Sequence, residues 1–468
     1  MEHRFAIGID VGTSSVKGTL IADDGSTDTR RSRTYPTSSP RPKATEQNPD
    51  DWWRAVGDVL EQLVADHPKI GARTTTVGLT GQMHTSVLRD AGGDLIRPAI
   101  LWSDQRGTRQ CEDITRRVPD IAAITGNPLL PAFTLVHLSW LAQHEPGAFM
   151  AIASVAAPKD DIRRRLGAGT VTEPSDASGT SLLDFRTDAW SPRIAAAIGL
   201  PLGVLPPVRP SHEVTGVITT PPTTTLDRLL GIEVVSGAGD QAAQAVALEV
   251  TSAGRLGFSL GTSGVAFQSL DQPRQGSFRH AYPHRWLALD STHAAGLALS
   301  WWSGMTGRPV QELALGSNNP EAAPVFLPFL QGHRSAAGPP GALIGLDVRH
   351  TSADIGYAVM EGVTFEMVRL AESVGDGDVA DGQVHLGGGG GASPRWRQLL
   401  ADALQRTVVY TDRDSSFGAA LLAAESAGWA ERFRAADQSP TVLTDPGDGS
   451  QRTRRRLARY RDLTARLS

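Results

Sequence analysis

Two aspartates stand where phosphoryl-transfer chemistry would need them. Asp10 closes the apolar run Phe5 to Asp10 and precedes Gly12-Thr13-Ser14, whereas Asp240 follows Gly237-Ala238-Gly239 and opens an alanine-rich segment. A carboxylate beside a phosphate-binding turn repels the phosphate unless a cation bridges them, so Asp10 points to Mg²⁺ held partly through water. Asp240 is expected at the C-terminal end of a strand, behind glycines that let a substrate approach the backbone. A base there could take the proton from a hydroxyl attacking phosphorus. Each residue also has a plainer reading: Asp10 as a turn former, Asp240 as the cap of the following helix.

The Gly-Thr-Ser turn occurs twice. FAIGIDVGTSSVKGTLI spans Phe5 to Ile21, and RLGFSLGTSGVAFQSL spans Arg255 to Leu270. Each reads as strand, tight turn and strand. A small hydroxyl-bearing tip brings backbone N–H groups and the hydroxyls of Thr13, Ser14 and Thr262 against phosphate oxygens with no bulky side chain in the way. Two such hairpins, each opening half of the chain, predict a duplicated nucleotide-binding fold with phosphates clamped between the halves. Lys17 follows the first hairpin within reach of a phosphate, or is simply an exposed strand lysine. Met83 and His84 end another strand in the same half. The glycine run Gly387 to Gly391, then Ala392-Ser393-Pro394, offers a bare surface for an adenine ring, although it matches neither common glycine-rich nucleotide motif.

The elements that must carry these residues alternate strand and helix, which predicts an α/β layer fold. Asn48 caps a helix with Pro49 at its first position and Asp50 and Asp51 in its first turn. Trp53, Val56, Leu60, Leu63 and Val64 are expected on its apolar face. Thr74 to Gly81 reads as a strand leading to Gln82-Met83-His84. Pro201 to Pro222 reads as irregular or short-stranded, and Val234 to Leu248 as strand then helix, with a domain boundary near Leu248. The basic C-terminal segment reads as a helix packed through Leu457, Tyr460, Leu463 and Leu467.

The chain has 468 residues, 40% hydrophobic and 20% charged, with a formal net charge of −5. That length predicts two domains, and the charge offers no basic field for nucleic acid or an anionic membrane. No apolar run reaches membrane-spanning length, and the first residues lack the layout of a signal peptide. The single cysteine, Cys111, allows no internal disulfide and no cysteine-rich zinc site. The expected location is the cytoplasm, with neither nucleic acid nor membrane as partner.

In order along the chain, GIDVGTSSVK, GQMH, RPAILWSDQR, PKDDIRRRLGAGTVTEPSDASGTSLLD, GAGDQAA, SLGTSG and GGGGASPRWRQLLAD resemble the carbohydrate kinases of the FGGY family, and within it most closely the xylulokinases. The resemblance implies two ribonuclease-H-like, actin-type ATPase domains, residues 1–247 and 248–468, with an interdomain cleft closing over sugar and ATP. It implies Asp240 as catalytic base, Asp10 as the Mg²⁺-linked carboxylate, and Met83, His84, Asp240 and Gln241 as sugar-binding residues. Thr13, Ser14, Lys17 and Thr262 then belong to the phosphate site, and Gly389 and Ser393 to the adenine site. ATP and Mg²⁺ are the expected cofactors, a small sugar the expected partner, and a homodimer the assembly to test for.

The implied reaction is phosphorylation of a ketopentose, foremost D-xylulose. The alternatives are another ketose or polyol, or a non-catalytic ATP-binding protein that senses sugar, since this fold also serves other functions. Four departures from the pattern bear on the sugar: Thr85 where glycine is common, Gln241 where asparagine is common, His137 where lysine is common, and the loop Gly332 to Pro340. Thr85 is expected to narrow the sugar pocket.

Overall fold

A computed structural model describes residues 4–71, 75–310, 319–330, 339–375 and 379–467. Thr74 and most of the Gly332 to Pro340 loop, His333 included, therefore lie outside the described residues. The chain divides into two compact units. The first comprises Met1–Ala247 with Asp271–Leu287 and Asp414–Gln438; the second comprises Leu248–Leu270, Ala288–Arg413 and Ser439–Ser468.

The first unit is built on a mixed sheet. Its strands are β1 (Phe5–Val11), β2 (Ser15–Ala22), β3 (Thr27–Thr34), β4 (Thr75–Gly81), β5 (Val214–Val217) and β6 (Glu233–Val235), in the spatial order β5-β6-β4-β1-β2-β3. A two-residue strand, β7 (Ala238–Gly239), also pairs with β4. β1, β6 and β7 all run parallel to β4, while β1 and β2 form the antiparallel hairpin read from the sequence.

The period-two pattern of β1 assigns its faces. Phe5, Ile7, Ile9 and Val11 join the core beneath helix α1 (Pro49–Asp66). Ala6, Gly8 and Asp10 point the other way, toward the helix Ser415–Ser426. That helix comes very close, because a β-carbon on Gly8 would lie 1.8 Å from Ser416 O, and one on Gly78 2.0 Å from Ala419 O. The same helix meets α2 (Asp240–Ala247) through Gly418, where a β-carbon would lie 1.9 Å from Ala243 O. Three glycines thus allow backbone-to-backbone packing that no other residue would permit.

Helix α1 begins as its sequence predicts, with the Asn48 side chain accepting from Asp50 N. Its buried face differs by one tryptophan. Trp52, not Trp53, is buried with Val56, Leu60, Leu63 and Val64, and its indole N–H donates to Gln47 Oε1 at 3.0 Å. The two tryptophans stand four and three residues before Val56, both within one turn of it, so helical spacing alone does not choose between them. The Trp53 ring lies under the Arg165 guanidinium, 4.8 Å away.

The second unit repeats the hairpin. β8 (Leu256–Leu260) and β9 (Gly264–Leu270) are antiparallel, and β8 runs parallel to β11 (Gln383–Gly387). With β10 (Trp286–Thr292), β12 (Thr407–Thr411) and β13 (Thr441–Thr444), the strands follow the order β10-β9-β8-β11-β12-β13. Thus β2-β1-β4 and β9-β8-β11 are the same three-strand arrangement. The C-terminal helix, Ser450–Leu467, packs Leu457 and Tyr460 on Val325, Leu327 and Phe365, with Leu463 at the edge. Leu467 is 46% exposed and lies outside the packed stripe, because it falls in the frayed last turn. In its stead Arg456 is buried, held by Glu361 and by the Ala323 carbonyl at 2.8 Å. Among the described residues no helix is long and apolar enough to cross a membrane.

Gly78→Ala should lower unfolding free energy by about 1–3 kcal/mol or more, because the obstructing atoms are backbone. Gly147→Ala, which meets nothing within 4 Å, should change it by less than about 1 kcal/mol. Denaturant titrations of the two variants check the contrast; equal effects would refute the packing argument.

Candidate active site

Strand register delivers the first unit's chemistry to one sheet edge. Val11 and Gly239 both pair with Gly81 on β4, and all three strands run in one direction. Gly12, Gln82 and Asp240 therefore leave the sheet side by side. Asp10 lies one residue back, on the β1 face that meets the Ser415–Ser426 helix.

Asp10 is buried at the start of that helix. The Ser415 hydroxyl donates to its Oδ2 at 2.7 Å, while its Oδ1 has no hydrogen-bond partner. Lys17 is Asp10's partner across the hairpin and stands 3.7 Å from Asp414, the cap of the same helix. Burial raises the Asp10 pKa to about 6 against the opposing pull of Lys17 and the Ser415 bond. Asp240 rises further, to about 8, through burial and the negative charges of Asp10 and Asp176; a hydrogen bond from Gln241 opposes the rise. Burial also raises Asp176, with Glu173 and Asp160 adding to it and Lys159 opposing. Burial thus disfavours the ionised form of all three carboxyls, and at Asp240 two like charges add to it.

Met83 packs against Gly239, the residue before Asp240, and His84 follows Met83 in the chain. A β-carbon on Gly239 would lie 2.7 Å from Met83 Cγ, so that glycine is needed for the approach. His84 has φ +67°, a left-handed conformation that its surroundings enforce. Its Nδ1 donates to Gly179 O at 2.6 Å, its own carbonyl accepts from Thr134 Oγ1 at 2.9 Å, and Phe133 and Phe278 flank the ring. Because a carbonyl only accepts, Nδ1 carries a proton. Gln241, whose Oε1 is buried without a partner, adjoins Asp240.

The hairpin tips differ in detail. Gly12 N donates to Ser15 O at 3.1 Å, and the Thr13 hydroxyl accepts from Trp102 Nε1 at 2.9 Å. Ser14 is exposed. In the second unit Gly261 N donates to Ser263 O at 3.0 Å, and the exposed Thr262 offers its carbonyl to Ala295 N and Leu297 N at the start of the helix Gly296–Thr306. Gly389 belongs to a short turn and faces open space, with nothing within 4 Å of a β-carbon. Ser393 caps the helix Pro394–Leu404 by accepting from Trp396 N. Asp10, Met83, His84, Asp240 and Gln241 are thereby brought together within the first unit, which also carries Thr13, Ser14 and Lys17. Thr262, Gly389 and Ser393 belong to the second.

Two sequence departures have local explanations. The Thr85 hydroxyl donates to Gln82 Oε1 and accepts from Trp102 N, both at 3.2 Å, which ties it into the backbone. With His84, Thr134 and Asp176 it lines an internal cavity of about 20 Å³. His137 is buried, its pKa lowered to about 3 by that burial, so it stands as a neutral ring bonded to Ser86 Oγ at 3.0 Å.

The residues fit a magnesium ion through Asp10. Its buried Oδ1 lacks a partner, and carboxylate oxygen is the hard donor that Mg²⁺ prefers. No group of three or more potential metal ligands stands among the described residues. Mg²⁺ commonly takes one or two protein carboxylates and completes its shell with phosphate and water.

Family comparison decides the reaction class. The model of the FGGY family of carbohydrate kinases, N-terminal domain, matches residues 5–247, and that of the C-terminal domain matches residues 256–427. The chain belongs to the FGGY family of carbohydrate kinases. The xylulose kinase of Escherichia coli is 35% identical over 89% of both chains, and that of Bacillus subtilis 32% identical over 92% of this chain and 89% of its own. The crystal structure of a xyloylose kinase from Brucella ovis superposes with a TM-score of 0.89 at 31% identity, covering 99% of each chain. A gluconate kinase from Lactobacillus acidophilus shares the fold, with a TM-score of 0.88 at 22% identity over 100% of this chain and 98% of its own. This carbohydrate kinase, by its family, takes a sugar and ATP.

The sequence did not single out Lys159, Glu173, Ser175, Asp176 or Ser415 for a role. Lys159 and Asp176 lie in charged or polar runs whose ordinary fate is a solvated surface, and no local signal says they are buried.

The raised pKa of Asp240 has a stability consequence. Its ionised form is disfavoured in the fold, so the stability present below the unfolded pKa is lost as pH rises through about 8. Asp240→Asn should therefore melt above the wild type by an increment that grows between pH 5 and pH 8.5, reaching at least about 2–4 °C. Thermal melts in the absence of metal and nucleotide check this; a pH-independent difference would refute it.

Proposed function

We propose that this kinase transfers the terminal phosphoryl group of ATP to D-xylulose, giving D-xylulose 5-phosphate, with Asp240 as the general base. The observation that carries the reading is the position and charge state of Asp240: a carboxyl at the C-terminal sheet edge, after the glycine on which Met83 packs, with its pKa raised to about 8. The curated relatives named xylulose kinase support the choice of sugar. Folds alone do not choose it, since a gluconate kinase shares this one.

In this reading Met83, His84 and Gln241 orient the sugar so that its terminal hydroxyl faces Asp240. The hydroxyl oxygen bonds to phosphorus as the bond to ADP breaks, and the hydroxyl proton passes to the Asp240 carboxylate. Asp10 would hold Mg²⁺, which would supply neutralisation of the phosphate charge. Thr13, Ser14 and Lys17 serve the phosphates from residues 1–247. Thr262 does so from residues 248–468, where Gly389 and Ser393 receive the adenine. A base that must ionise predicts kcat/KM rising with pH toward about 8.

A panel of ketoses and polyols, followed by coupled ADP release, should show D-xylulose as the preferred acceptor. A preference for glycerol, ribulose or a hexulose would overturn the substrate while leaving the kinase intact. Asp240→Asn should lower kcat by at least about 10²-fold with ATP affinity near normal. Asparagine caps a helix as well as aspartate does, so a fully active variant would leave Asp240 a mere cap. Asp10→Asn should raise the Mg²⁺ concentration needed for half-maximal rate; an unchanged requirement would remove Asp10 from the metal.

A further inference from the structure

The four residues that lead into Asp240 are held through four backbone groups. Ser236 N donates to Glu213 O and Gly237 N to Ser211 O, both at 2.9 Å. The Ser236 carbonyl accepts from the Arg163 guanidinium at 2.7 Å, and Gly239 N donates to Ser175 Oγ at 2.9 Å. Gly237 has φ +80°, and a β-carbon there would lie 1.8 Å from Leu79 O, so it is pressed onto β4.

Behind these contacts lies a buried charge cluster from two helices, Pro158–Arg165 and Pro174–Gly179. Lys159 and Arg163 are 0% exposed. Lys159 Nζ stands 2.7 Å from Asp160, 3.1 Å from Asp176 and 3.5 Å from Glu173. Arg163 also pairs with Asp160. The Ser175 hydroxyl donates to Glu173 at 2.8 Å while it accepts from Gly239. Asp176 lies against the same glycine, 3.2 Å from where its β-carbon would be. Stability alone does not explain such a cluster, because well-packed apolar groups in place of buried ion pairs are often as stable or more so.

We propose that Ser175 and Arg163, anchored by Lys159, Glu173 and Asp160, are positioning residues for this kinase: they clamp the Ser236–Gly239 segment at both ends and so fix the Asp240 carboxylate against the sugar hydroxyl. The proposal rests on the reading of Asp240 as base. Each clamp acts on backbone, so Asp240 keeps its own carboxylate for the substrate. Proton transfer and in-line attack depend steeply on such placement, and a shift of about 1 Å can cost about 10²-fold.

Ser175→Ala removes the link between Glu173 and Gly239 N with the least change of shape. It should lower kcat about 10-fold, with KM for ATP within about twofold of wild type. Ser175→Thr, which keeps the hydroxyl, should recover most of the rate. If Ser175→Ala does not fold, Ser175→Cys, with its weak sulfur acceptor, carries the same expectation. Asp240→Asn is measured alongside. If kcat of the Ser175 variants matches wild type while Asp240→Asn is inactive, the clamp is refuted and the base stands. If Asp240→Asn is itself active, the base reading fails. Loss of kcat in step with melting temperature and ATP affinity, without rescue by threonine, would make Ser175 a purely structural residue.

Discussion

The first unit depends on one close contact: the helix Ser415–Ser426 lying directly on the backbone of β1 and β4. Gly8 and Gly78 remove the two side chains that would hold it away, and Gly418 lets α2 close in from the side. The contact also places the charges. The face of β1 that carries Gly8 carries Asp10 two residues on, so the helix that packs on the glycine sets its first turn beside the carboxylate. The Ser415 hydroxyl and the positive end of the helix then support an anion that burial disfavours.

Electrostatics in this region are arranged to leave charge unsatisfied. Burial raises the pKa of Asp10, Asp176 and Asp240; the charges of Asp10 and Asp176 add to the rise at Asp240, while Lys17 opposes it at Asp10 and Lys159 at Asp176. A stable protein core would have no reason to keep three such carboxylates together. Carboxyls held at such a cost cluster at functional sites. The strain at His84 follows the same logic, since a left-handed histidine persists only where its neighbours over-determine it.

The duplication is one of architecture more than of detail. Both sheets place a Gly-Thr-Ser hairpin beside a parallel strand, yet the first tip closes through Gly12 to Ser15 and the second through Gly261 to Ser263. Around the tips the partners diverge: Trp102 holds Thr13, while Thr262 supports the start of a helix.

Local signals in the sequence were enough for the hairpins, for the Asn48-Pro49 helix start, and for Asp10 and Asp240 at strand ends, because glycine, proline and capping residues act within a few positions of themselves. The buried face of α1 was off by one tryptophan, since two adjacent tryptophans differ only by a rotation that neighbouring elements choose. Family motifs supplied Met83, His84 and Gln241, which no periodicity singles out. Only the tertiary structure could bring Ser415 to Asp10 across 405 positions, or turn the charged run around Lys159 and Arg163 into a buried clamp on the strand before Asp240. Burial and long-range contact are properties of the packed chain. The same lysine in the same run would be a solvated surface charge had the helices that enclose it not closed over it.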